Sequence, residues 1–267
     1  MQEPEGYPQA IVGRAEPIDV RRIDAPSGLD GVDYLWRVRW EVEEPYEQAV
    51  VPQPRVHLAA EQGRLLVHGV IPRLFTRTLA GRGHVLGASF VPGGFHAYLR
   101  GDVADLYDQL LPAGDVLGVD DRPYAATILA PEATDEEMAA ALTAYLGAVG
   151  IEPDPRAYEV RAVVEHAETD RTVTRADALA SYAGVSLRTL QREFATYVGV
   201  GPKWVVQRFR LLDAAAAARS GDAVEWAVLA ADLGFSDQAH LVRRFTEVVG
   251  TPPAAYAREV APRPSDG

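Results

Sequence analysis

The sequence predicts a two-domain α+β protein. An N-terminal β-rich half has the form of a small barrel or sandwich with some helix, and a C-terminal half is all α. Three observations carry this. Before residue 115, short apolar runs are cut by Gly and Pro: VDYLWRVRWEV (32–42), RVHLAA (55–60), RLLVHGVI (64–71) and HVLGASFV (84–91). Such spacing belongs to folds with many short antiparallel strands. Beyond Pro155 the apolar residues recur at helical intervals instead. The texture changes once, at Gly150-Ile151-Glu152-Pro153-Asp154-Pro155, where two prolines beside acids favour an extended linker. The 267 residues thus divide into 1–150 and 151–267.

In the first run, Trp36, Val38, Trp40 and Val42 alternate with Arg37, Arg39 and Glu41. This is a half-buried strand with its tryptophans on one face. Residues 102–111 and 134–149 are expected to be helical. The second opens on Thr134 as N-cap with Glu137 three residues on, a capping box. Its stripe of Met138, Leu142 and Leu146, flanked by Tyr145 and Val149, suits either packing on its own barrel or pairing two subunits.

In the C-terminal half, 157–167 is an amphipathic stretch. Thr174 with Asp177 starts the next helix, which carries Leu179 and ends at Gly184. Ser186 caps a helix with Leu190, Phe194 and Val198 inward. Pro202 suits the first turn of a long helix through Ala218. Residues 226–233 form a helix closed by Gly234. Ser236 caps another, with Leu241 and Phe245 inward. Thr251-Pro252-Pro253 breaks it, a short helix follows around Tyr256, and the tail is expected to fray from Pro262.

Composition narrows the function. Hydrophobic residues at 48% and charged residues at 24% fit a soluble globular chain. There is no apolar run of the length that spans a membrane and no signal-peptide pattern, so the cytoplasm is the expected compartment. The chain has no cysteine, which removes disulfides, thiol catalysis and Cys-held metals. The net charge of -12 argues against nucleic acid at first sight, since DNA affinity rests largely on Lys and Arg. The charge is uneven, however. Residues 1–150 hold 12 basic and 22 acidic residues, a net of -10, while 151–267 hold 14 and 16, a net of -2. Between Ser186 and Arg210 there are five basic residues (Arg188, Arg192, Lys203, Arg208 and Arg210) and one acid, Glu193.

That basic segment lies in a pattern that occurs twice. ADALASYAGVSLRTLQREFATYVGVGP and VEWAVLAADLGFSDQAHLVRRFTEVVGTPP each contain an alanine-rich helix, a glycine turn, an apolar residue, a serine and a second helix. Small residues let two helices cross closely, the glycine gives the bend, and a capped second helix points its N-terminal turns at DNA. The pattern is a doubled helix-turn-helix: about 174–198 and about 225–249, joined by a linker helix at about 202–219. Two recognition helices held by one rigid helix would sit about one duplex turn, roughly 34 Å, apart.

On these residues, 157–258 resembles the AraC/XylS family of bacterial transcriptional regulators. The second copy is the more telling, with Leu229-Ala230, then Gly234-Phe235-Ser236-Asp237 through Arg243-Arg244-Phe245, then Gly250-Thr251-Pro252-Pro253. The first supports it with Ser186 through Phe194. Upstream, 33–118, with Trp36, Trp40, His68-Gly69, Gly81-Arg82-Gly83 and the stretch from Gly87 to Gly94, resembles a domain fused to this DNA-binding module in many actinobacterial-type proteins. The resemblance implies a cupin-like β-barrel sensor in the N-terminal half and a sequence-specific activator or repressor. It also implies double-stranded DNA as partner, a homodimer, a small-molecule effector, and RNA polymerase as a further partner if the protein activates. No cofactor and no catalytic residue follow from it.

Facing then selects residues. With Leu190 and Phe194 inward, Arg188, Gln191 and Arg192 point outward near the start of the first recognition helix. Arg pairs bidentately with guanine and Gln with adenine. With Leu241 and Phe245 inward, Gln238, Ala239, Val242 and Arg243 are outward at the family's base-facing positions. Lys203, Arg208 and Arg244 suit phosphates or solvent, and Arg210 suits a structural role. His240 suits packing or a phosphate. An effector pocket could be lined by Trp36, Trp40, Phe90, Phe95 and Tyr98, although aromatics at strand spacing serve equally as plain core. The rival reading is a cupin-type metal-dependent enzyme in the N-terminal half. It finds His57, His68, His84 and His96 scattered, with no His-x-His pair to seat a metal. DNA repair by methyl transfer, which some proteins combine with this module, needs the cysteine that this chain lacks.

Overall fold

The computed structural model describes residues 11–12, 18–220 and 224–260; the tail beyond Pro262 lies outside them. Among these residues, seven antiparallel strands form one sheet: β1 (Ile11–Val12), β2 (Ile18–Asp24), β3 (Val32–Val50), β4 (His57–Glu61), β5 (Arg64–His68), β6 (Phe75–Phe90) and β7 (Leu110–Pro112). The order is β1-β3-β6-β4-β5-β7, with β2 also on β3. No ladder joins β7 to β1 or β2 among the described residues. The expected barrel is therefore a single sheet, open in its hydrogen bonding. It curls enough that side chains of β2 to β6 line a common cavity.

The long β3–β6 ladder organises the sheet. Trp36 lies opposite Gly87 and Trp40 opposite Gly83. A Cβ on either glycine would stand 2.5 Å from the facing indole ring, so only glycine leaves room for the rings to lie across the partner strand. The β4–β5 hairpin turns at Gln62-Gly63, both at positive φ (53° and 76°). That is the turn that matches the twist of two tightly joined strands. Its register sets His57 opposite His68.

The sheet's other face packs under helices α1 (Ala113–Leu117), α2 (Arg122–Ile128) and α3 (Asp135–Val149). Thr134 and Glu137 form the expected capping box of α3. Met138, Leu142, Tyr145 and Leu146 are buried with Leu35, Leu58, Leu86 and Phe90. This stripe is used inside the chain, so it does not pair subunits. One expectation changes here. Residues 102–111 are not a helix but a 3₁₀ turn at Val103–Leu106 followed by β7. Asp108 at φ 56° breaks the helical path, and Leu110–Pro112 pair with β5 instead. Arg37 does not face solvent: it is 2% exposed and pairs with Asp19 at 2.7 Å and Asp135 at 3.2 Å. The arginine face of β3 is where α3 docks.

Gly150 ends α3, and the linker pairs with the sheet domain through Glu152 N–H donating to Ala97 O at 2.9 Å. Among the described residues, seven helices follow: α4 (Pro155–Thr169), α5 (Ala176–Tyr182), α6 (Leu187–Tyr197), α7 (Pro202–Arg219), α8 (Trp226–Asp232), α9 (Gln238–Val249) and α10 (Pro253–Val260). Their apolar core includes Val51 and Val70 of the sheet domain, so the two halves are packed together. No helix among the described residues is long and apolar enough to cross a membrane.

Asp121 is fully buried beside the β4–β5 hairpin. Its carboxylate accepts two bonds from Arg64 (2.9 and 2.7 Å) and one each from the Leu65 and Gly114 amides. Burial alone would raise its pKa, but these donors together hold it below the ordinary carboxylate value. A group held low stabilises the fold above its unfolded pKa and loses that contribution as pH falls through the folded one. Asp121→Ala should therefore lower unfolding stability by about 2–3 kcal/mol at pH 7, through one broken ion pair and orphaned amides. The gap to wild type should narrow below pH 4. Urea denaturation at pH 7 and pH 3.5 measures both; equal midpoints at pH 7 contradict the assignment.

Candidate nucleic-acid interface and sheet cavity

Each helix pair of the C-terminal half is built by local sequence. Gly184 and Gly234, at φ 67° and 76°, supply the left-handed turn after α5 and α8 that other residues adopt at a cost. Ser186 caps α6 through the Thr189 amide at 3.1 Å. The second motif differs from expectation. Asp237, not Ser236, caps α9, accepting from the His240 amide at 2.7 Å. The extra residue in this turn moves the cap by one position, and the carboxylate is the stronger acceptor. Ser236 bonds the His240 ring instead, and that ring packs edge-on against Phe235. Thr174 likewise sits one residue before the α5 cap, Arg175. Its side chain lies against Gly234, where a Cβ would be 2.5 Å away, so the start of the first motif abuts the turn of the second.

On α6, Leu190 and Phe194 are buried, while Arg188, Gln191 and Arg192 are exposed. Glu193, the one acid of that helix, is turned away from this face and paired with Arg156 of α4. On α9, Leu241 and Phe245 are buried. Gln238, Ala239 and Arg243 are exposed, and Val242 is half-buried. Lys203 is exposed at the start of α7, in a groove shared with Thr174, Arg175, Leu187 and Gly234. Arg244 is half-buried and paired with Glu247 at 2.7 Å.

Arg208 is not a phosphate contact. It is 2% exposed, stacks on Trp204, and donates to Pro52 O at 2.9 Å and Pro72 O at 2.5 Å. Burial pushes its pKa down to about 10, so it stays charged at neutral pH. Its position on α7 turns it onto the sheet domain. Arg210, 1% exposed, faces another way. It donates to the carbonyls of Ala167, Asp170 and Val173 and pairs with Asp213 at 3.0 Å, binding the α4–α5 connection to α7.

Of the aromatic residues considered for a pocket, Trp36 alone lines the sheet cavity. Phe90 packs edge-on against Phe95 and Tyr98 in the core under the helices, and Tyr98 Oη donates to Asp30 O. Trp40 borders a separate groove and donates to Ala80 O at 3.2 Å. Strand alternation and the curl of the sheet put these rings on different surfaces. The cavity measures about 170 Å³, and its walls include Tyr34, Trp36, Val38, Val51, Ile71, Phe75 and Val85. His57, Arg55, Glu61, His68 and Arg77 also border it. Sequence reading missed this polar group, although the hairpin turn at Gln62-Gly63 fixes His57 beside His68. His84 donates to Ile128 O, and His96 packs on Tyr197. No cluster of metal-ligating side chains occurs among the described residues.

The fold and the doubled motif define a DNA-binding protein with two helix-turn-helix units. A model described as "Helix-turn-helix domain" matches residues 179–259, and one described as a domain of unknown function (DUF6597) matches 26–112. With its paired motifs, the helical half resembles the DNA-binding part of AraC/XylS-family transcriptional regulators. Among solved structures, a probable AraC family transcriptional regulator from Rhodopseudomonas palustris is similar at 24% identity and TM-score 0.36, over 39% of this chain and 99% of that one. ToxT from Vibrio cholerae is similar at 11% identity and TM-score 0.40, over 94% and 98% of the two chains. Unsaturated fatty acid-bound ToxT is similar at 11% identity and TM-score 0.37, over 96% and 97%. No curated protein matches the sequence.

The bare α6 face leads to one prediction. Arg192→Ala should weaken specific DNA binding by about 1–3 kcal/mol. A gel-shift titration with unchanged affinity and footprint removes Arg192 from the reader.

Proposed function

We propose that residues 151–267 read two adjacent major-groove segments and that residues 1–150 act as the regulatory and dimerisation unit. The reading rests on one observation. Both recognition helices leave bare, at corresponding positions, the side chains that can reach base edges. Arg188, Gln191 and Arg192 on α6 would read purines by hydrogen bonds, and Gln238 and Arg243 on α9 would do the same. Ala239 and Val242 would offer only apolar contact to a thymine methyl. Lys203 and Arg244 would approach phosphates. The protein would act in the cytoplasm as a homodimer, without catalysis, and would engage RNA polymerase if it activates.

We further propose that the sheet cavity holds a small-molecule effector and that α7 carries the signal. Val51, Pro52 and Phe75 border the cavity. Val51 also belongs to the helical core, and Pro52 O is one of the two carbonyls that hold Arg208. A ligand that shifts this wall would shift the docking of the helix that joins the two readers. The step is a population shift between dockings, and it requires differential affinity for the two.

Arg208→Ala tests the coupling. A DNA duplex selected from a random library by the wild-type chain serves as the ligand. The variant should change affinity for it about fivefold or more, the size of a 1 kcal/mol coupling. Hydrogen exchange should rise at 50–53 and 69–75 while α6 and α9 stay protected. Unchanged DNA affinity with raised exchange separates docking from DNA reading and overturns the coupling.

A further inference from the structure

We propose that the groove between the two recognition helices seats the DNA backbone that crosses between the two major-groove segments, with Lys203 as its phosphate clamp. The proposal rests on the two-reader reading and adds to it a contact that reads no base.

Position comes first. Leu187 opens α6, and Gly234 forms the turn that leads into α9. Both border one groove of about 430 Å³, whose other walls are residues 174–177 and the first turns of α7. The groove therefore lies between the helix ends that face base edges. On one face of a duplex, two major-groove segments a turn apart are separated by a minor groove. The strands that border this minor groove pass between the readers, and the groove is the surface they meet there. It is held in shape from within the protein, because the Thr174 side chain packs on Gly234, where a Cβ would stand 2.5 Å away. A site formed before its ligand arrives loses little on ordering.

The chemistry of the walls selects the backbone. Lys203, the only lysine in the chain, is exposed, and Thr174 and Gln207 are half-buried. None of these three side chains makes a hydrogen bond or ion pair among the described residues. Lys203 and Gln207 stand four residues apart on α7 and so share a face of that helix. An ammonium, an amide and a hydroxyl can all donate to an anionic oxygen. The acid in these walls, Asp177, is bound twice by Arg175, at 3.1 Å each. That pair is neutral, which leaves the groove the single free charge of Lys203. Of the three cations expected at phosphates, Arg208 is buried and Arg244 is paired with Glu247. A flexible point charge with neutral donors around it suits a phosphodiester oxygen, whereas base edges call for a planar fork.

Interference and salt titration of the full chain test this on a duplex selected from a random library by the wild-type chain. Missing-base interference first marks the two base-read segments. Ethylation of phosphates between them should block wild-type binding and lose most of its effect in Lys203→Gln. The same variant should flatten the slope of log K against log salt by about 0.9, the share of one phosphate. Its deficit is then about eightfold larger at 0.1 M than at 1 M salt. The deficit should be the same on a scrambled duplex, since a phosphate contact carries no sequence. Lys203→Arg should keep the wild-type slope. The wild-type ethylation pattern is decisive by itself, whatever the variants do. Two base-read segments with no interfering phosphate between them overturn the proposal and leave the two-reader reading standing. An unchanged slope in Lys203→Gln, or a deficit confined to the selected duplex, does the same. Fewer than two base-read segments overturn the reading and the proposal together.

Discussion

Helix α7 is buried on almost every side, and the rest of the molecule is arranged to satisfy the groups enclosed by that burial. Of its residues, Val205, Val206, Phe209, Leu211, Ala214, Ala215 and Ala218 supply apolar contact around the helix. A helix apolar on all faces belongs inside a protein. It nevertheless encloses two guanidinium groups two residues apart, which point in different directions. Charges out of water must be paired or fully hydrogen-bonded. Arg210 meets three carbonyls and Asp213 within the helical half, and Arg208 meets two carbonyls of the sheet half. One helix thereby fixes both motifs to each other and both to the curled sheet.

This arrangement resolves the paradox of an acidic DNA-binding protein. DNA binding needs one positive face, not a positive chain. On α6 the arginines are bare and the single acid is drawn back onto Arg156. In the sheet domain many charges are consumed internally, in the clusters around Asp135, Asp121 and Glu61. These pairs use up arginines as well as acids, so the domain's net charge comes from its other carboxylates, among them the exposed Glu41, Glu43 and Glu44 of β3.

Much of this was legible in the sequence, and the failures have physical causes. The capping box at Thr134, the Ser186 cap and the two glycine turns are local features, and local chemistry decided them. The Ser236 assignment failed by one residue because an aspartate stood next to it. The 102–111 helix failed because Leu110–Pro112 found a better partner in β5, a non-local contact that periodicity cannot register. Arg208 was misplaced for a similar reason: its charge suggested DNA, but its partners lie more than 130 residues away in sequence. The aromatic pocket was mostly wrong because alternation separates the faces of one strand, but not which face of a curled sheet becomes its inside.

The central claim is that α7 holds two readers as one rigid unit on DNA. Hydroxyl-radical footprinting of the full chain on a selected duplex, combined with missing-base interference, tests it most directly. The account predicts two interference segments per protomer on one face of the duplex, about one helical turn apart, with the α6-facing segment lost in Arg192→Ala and the other retained. A single segment, or two whose spacing varies from site to site, would contradict it.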